Sequence, residues 1–104
     1  MLSRLYRKAE AVDQACLRAQ GHPQDYAIRQ ELLSALEWED SLHPEHAPPL
    51  IRDLFREVHD HSTELSSRLA QSNSQVASVP VTEIQTFRQG LAKLLHVLAT
   101  RHVR

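Results

Sequence analysis

Apolar residues recur along this chain at steps of three and four, the spacing of one face of an α-helix, in four separate stretches. In the first, Leu2, Leu5, Tyr6, Ala9, Val12, Cys16 and Ala19 make the stripe. Gly21 follows where a C-terminal cap belongs, which predicts a helix over about 3–20. The second stretch, over about 24–42, is weaker: Ile28, Leu32, Ala35 and Leu36 make one face, with Tyr26 and Leu33 beside it. Pro23 suits its start, because the N–H that proline lacks is unpaired in a first turn anyway.

Residues 43–49 hold three prolines, Pro44, Pro48 and Pro49, and predict a stiff link that no continuous helix crosses. Beyond it Leu50, Ile51, Leu54, Phe55, Val58, Leu65 and Leu69 share one stripe, giving the clearest helix, over about 49–72. It frays in the Ser-, Asn- and Gln-rich run 71–78, whose side chains compete with the helical backbone. Thr82 followed by Gln85 matches a capping box and starts a fourth helix over about 83–102, with Ile84, Phe87, Leu91, Leu94, Leu95 and Leu98 on its buried face. Gly90 interrupts that helix at a cost of about 1 kcal/mol relative to Ala.

Short links between amphipathic helices favour antiparallel neighbours. The sequence therefore predicts an all-α fold, a single domain over 1–104 forming a small antiparallel four-helix bundle that runs up, down, up, down. A three-helix bundle with a mobile N-terminal helix, or a helical dimer that closes its core between two chains, is the alternative. A chain of 104 residues buries roughly two thirds of its unfolded surface, enough for a core without a metal or disulfide. Its single cysteine forms no internal bridge, which suits a reducing compartment and predicts the cytoplasm. Residues 1–8 alternate apolar and basic side chains without the apolar run of a secretory signal, and the stripe continues smoothly to Ala19 as a core helix rather than a transit peptide. No stretch approaches the roughly 20 apolar residues of a membrane span.

In the up-down-up-down order one end of the bundle collects the polar features. Arg4, Arg7 and Lys8, poorly placed for the dipole of their own helix, then face Glu37, Glu39 and Asp40. Trp38 shares this end. At 100° per residue its side chain stands about 200° from Leu36, away from the apolar stripe if the helix continues that far. Either the proline-rich link folds back over the indole, or Trp38 is a binding anchor.

Histidine is the unusual count: seven residues, whose protonation in mild acid carries the formal charge from −1 to +6. His43, His46 and His102 gather at the polar end as candidate zinc ligands, although their spacing alone is a weak metal signal. No Glu-x-x-His motif occurs, which disfavours a di-iron bundle. His61 falls on the apolar stripe of the third helix with Ser62, a polar layer that persists only if it is hydrogen-bonded, sets register or faces a partner; His59 lies on the flank. A phosphotransfer role for His59 is disfavoured, because Asp60 and Glu64 repel a phosphoryl group and no Lys or Gly follows.

Twelve Lys and Arg against thirteen Asp and Glu leave no net positive field for nucleic acid. A DNA-binding regulator using Arg88, Lys93, Arg101 and Arg104 lacks a helix-turn-helix. Catalysis is not expected either: there is no glycine-rich phosphate loop, no strand to seat a nucleophile and no paired cysteine, and no cofactor is implied. Cys16 reads as a small buried hydrophobe. Trp38, Leu33 and Val97 fit poorly on single core stripes, and with His61 they are the candidate partner-binding residues.

The leading expectation is a non-enzymatic protein–protein interaction module, a regulator, adaptor or export-chaperone-like protein that binds a partner helix in a groove, alone or as a homodimer. In size and helix count it is similar to the small flagellar and type III export chaperones. A metal- or pH-responsive histidine-rich module is the alternative.

Overall fold

The computed structural model describes residues 2–71 and 81–101. They form helices α1 (Leu2–Gly21), α2 (Tyr26–Ala35), α3 (Pro49–Gln71) and α4 (Val81–Arg101), with a short 3-10 turn at Asp40–Leu42. Among the described residues there is no strand. The all-α four-helix bundle expected from periodicity is the fold observed.

Around the bundle α1 packs between α2 and α4, and α3 packs against α4 and more lightly against α2. Side-chain pairs establish the antiparallel order. Gln20, near the end of α1, donates to Gln85, near the start of α4, at 2.9 Å, and Arg68 near the end of α3 pairs with Glu83 in the first turn of α4. The α1 stripe is sealed, with Leu5, Ala9, Val12, Cys16 and Ala19 inaccessible to solvent. This helix is part of the core, so the three-helix bundle with a mobile N-terminal helix is not adopted, and one chain closes the core by itself.

Three helix boundaries depart from the sequence expectation. Gly21 is not a left-handed cap, since no described glycine has positive φ; α1 ends instead in a turn in which His22 N–H donates to the Arg18 carbonyl. α2 starts at Tyr26, where the Asp25 carboxylate accepts from Ile28 N–H at 3.1 Å, a stronger start signal than Pro23. α4 starts at Val81, with Thr82 already helical and its carbonyl accepting from Thr86 Oγ1, so the predicted capping box does not form. Pro80 immediately before Val81 favours that earlier start, and Glu83 in the first turn suits the helix dipole.

The largest departure is the end of α2, at Ala35 rather than about 42. Glu37, Glu39 and Asp40 follow at the end where the helix dipole disfavours acids. Continuing the helix also turns Trp38 outward. Covering roughly 100 Å² of indole is worth about 2.5 kcal/mol, whereas each helical residue given up changes the balance by only tenths of a kcal/mol. Burial of Trp38 wins, and the chain from 36 to 48 becomes a strap that fills the space a longer α2 was expected to occupy.

Candidate functional site

The strap meets the start of α1 and the first turns of α3 at one end of the bundle. Trp38 lies against α3, its ring edge-on to Phe55 with centroids 5.5 Å apart, and its indole N–H donates to Ser62 Oγ at 2.9 Å. Ser62 is fully buried, so this bond supplies the partner that a hydroxyl on an apolar stripe requires. Lys8 Nζ of α1 stands 5.8 Å from the centroid of the same indole. Burial lowers the pKa of Lys8, opposed by the attraction of Glu39 and Glu37. Arg4 pairs with Glu39 at 3.9 Å, so the basic start of α1 and the acids after α2 meet within one chain, as their placement predicts.

Below Trp38 the strap and α3 enclose an open cleft of about 220 Å³. His43 and Glu45 contribute one wall, and Arg52, Phe55, Arg56 and His59 the other. The four α3 residues are spaced at i, i+3, i+4 and i+7, which puts them on one helical face. The His43 ring lies 5.0 Å from Phe55 and 5.1 Å from His59, centroid to centroid. Phe55 is almost wholly buried and anchors this cluster to the core. His43 Nε2 is buried without a hydrogen-bond partner among the described residues, an uncommon condition that costs about 1–3 kcal/mol. Both arginines are exposed, and neither guanidinium forms an ion pair or hydrogen bond among the described residues.

The other candidates are dispersed. His61 is half-buried with its ring edge-on to Phe87 at 5.4 Å, beside a second recess bordered by Arg68, Glu83 and Thr86. Leu33 and Val97 are half-buried and pack against the core cluster. Among the described residues the large apolar side chains left exposed are Leu17, Tyr26, Leu50 and Val81; Leu50, expected on the α3 stripe, and Tyr26, expected beside that of α2, stand in the first turns of their helices, where fewer neighbours cover them. Of the candidate zinc ligands, His43 faces the cleft region, His46 is exposed and His102 lies outside the described residues; among those described, no three His, Cys, Asp or Glu side chains are grouped to hold a metal.

Cys16 is sealed in the core, where burial first and the nearby Asp13 second push its thiol up to about 12. Arg88, a candidate phosphate contact, instead donates to Asp13 at 2.8 Å and to Gln20 at 2.9 Å, and the Asp13 bond raises its pKa further.

Sequence reasoning missed the cleft's two arginines. Their signal was present, since Arg52, Arg56 and His59 recur at four and three residues beside the α3 stripe. What the pattern lacks is any sign that the strap closes against that face. Comparison with known proteins gives no match to a family model, a curated protein or a solved structure. No helix among the described residues is long and apolar enough to cross a membrane.

Proposed function

We propose that this chain is a non-enzymatic helical interaction module, a regulator, adaptor or export-chaperone-like protein whose docking surface is the cleft between the strap and α3. The observation that carries this reading is the early end of α2. A strap without α-helix in place of the rest of the expected helix leaves an open cleft with an aromatic base and unpaired polar groups, while most of the apolar stripe residues elsewhere are buried against one another. The occupant is a helical or extended segment of another protein, which inserts side chains into the cleft bordered by Glu45, Arg52 and Arg56. A free, buried cysteine agrees with a reducing, cytoplasmic setting.

The test is affinity capture from the native extract by the wild-type chain and by an Arg52→Glu, Arg56→Glu variant with unchanged circular dichroism. A protein retained by the wild type and lost with the variant supports the reading. Identical retained sets, or none with either bait, overturn it.

A second reading, a pH-responsive module, draws on the His43–His59 contact alone. That contact sets two imidazoles, 5.1 Å apart centroid to centroid, where the strap rests on α3 beside Arg52 and Arg56. A strap whose amide exchange is the same at pH 5 and pH 8 removes it.

A further inference from the structure

We infer that the strap–α3 cleft is an anion site, built to hold one carboxylate or phosphoryl group carried on a peptide segment, with Arg52 and Arg56 as its clamps. This rests on the docking reading above and specifies its chemistry.

The first argument is the placement of charge against local preference. Arg52 and Arg56 sit at i and i+4 on the first two turns of α3, which begins at Pro49. Like charges at that spacing repel, and cations near a helix N-terminus oppose its dipole. Four other arginines are answered internally, Arg4 by Glu39, Arg18 by Glu31, Arg68 by Glu64 and Glu83, and Arg88 by Asp13, whereas Arg7 and Lys93 form no ion pair among the described residues but border no such cleft. Arg52 and Arg56 are left unanswered, on the one helical face that borders the cleft.

The second argument is the composition of the walls. A guanidinium pair matches the oxygen geometry of a carboxylate or phosphoryl group, and the α3 dipole adds attraction for negative charge at this end. Phe55 and the two imidazoles supply a flat, weakly polar base for the chain that carries the anion. His43 lines the same space as a residue, while its unpartnered Nε2 is itself buried. Opposite the arginines Glu45 contributes one negative charge, which limits the cleft to a single anionic group and disfavours densely acidic polymers.

The test is a titration of the intact chain, followed by the NMR signals of the arginine Nε–H and histidine ring protons, with three probes. One is a blocked peptide bearing a single glutamate, one is the same peptide with phosphoserine at that position, and one is its glutamine analogue. The two anionic peptides are expected to shift Arg52, Arg56, His43 and His59 together, and the glutamine peptide to leave them unmoved. Arg52→Gln and Arg56→Gln are each expected to weaken binding about tenfold. Glu45→Gln is expected to strengthen it several-fold, a gain that no loss of folding imitates. Inorganic phosphate, added alone, distinguishes capture of a free anion from capture of a peptide-borne one: equal affinity for both removes the peptide from the proposal.

Binding that is indifferent to the charge of the probe, or unchanged by all three substitutions, overturns the anion site. The docking reading fails separately, on protein capture that is insensitive to reversal of Arg52 and Arg56. Capture that depends on those arginines without any response to the anionic peptides overturns the anion site alone.

Discussion

The indole N–H of Trp38 donates to the hydroxyl of Ser62, 24 residues further along the chain, at 2.9 Å. The bond joins the only tryptophan to the one fully buried serine on the apolar stripe of α3, and it fixes where the strap crosses that helix.

Breaking this bond from either side leaves a polar group in the interior without its partner. Ser62→Ala and Trp38→Phe are each expected to lower unfolding free energy by about 1–3 kcal/mol. The double variant is expected to lose less than the sum, with a coupling of about 0.5–1.5 kcal/mol. Urea unfolding followed by far-ultraviolet circular dichroism measures all three. Strict additivity removes the bond as a source of stability.

Cys16 is expected to resist alkylation in the native state and to react on unfolding, since its thiol is sealed and holds its proton up to about 12 against an ordinary 9.0. Between those values the unfolded chain has released a proton that the native one retains. Its contribution to stability is therefore complete below pH 9 and declines as pH rises towards 12. Cys16→Ala is expected to flatten that alkaline decline, which denaturant midpoints across the interval report.

Gly90→Ala is expected to stabilise the chain by up to about 1 kcal/mol, because the glycine is helical, its φ is not positive, and an added Cβ meets nothing within 4 Å. The measurement is a rise in thermal midpoint. A fall shows that the site needs glycine for close packing.

The ion pair of Asp13 with Arg88 is about three quarters covered on each side, unlike the exposed pair of Arg4 with Glu39. Asp13→Asn is expected to cost about 1 kcal/mol and Glu39→Gln no more than a few tenths. Raising salt should shrink the Glu39 effect first, because water and ions reach that pair directly. Equal losses from the two substitutions contradict the difference in burial.

Much of the fold was legible in apolar spacing. Leu5, Ala9, Val12 and Cys16, then Ile51, Phe55, Val58, Leu65 and Leu69, then Ile84, Phe87, Leu91, Leu94 and Leu98 are buried where stripe counting puts them. Arg29 shows the limit of that rule. It shares the buried face of Leu32 and Leu36, three and seven residues on, and is nearly inaccessible; its guanidinium donates to the Leu69 carbonyl at the end of α3. A charged residue on a weak stripe reads as solvent-facing in sequence, and only the adjacent helix end supplies the acceptor that lets it be buried.

The sequence by itself determined the all-α class, the four helical segments, the core stripes and the attraction between the basic start of α1 and the acids after α2. Those follow from local periodicity and charge, which act within a few turns. Tertiary structure decided where α2 stops, that Trp38 turns inward to Ser62, and that the strap comes to rest beside Arg52 and Arg56. Each of these outcomes compares a local helical preference of tenths of a kcal/mol with burial against a distant element worth several times more. The distant element enters that comparison only once the chain has folded back on itself.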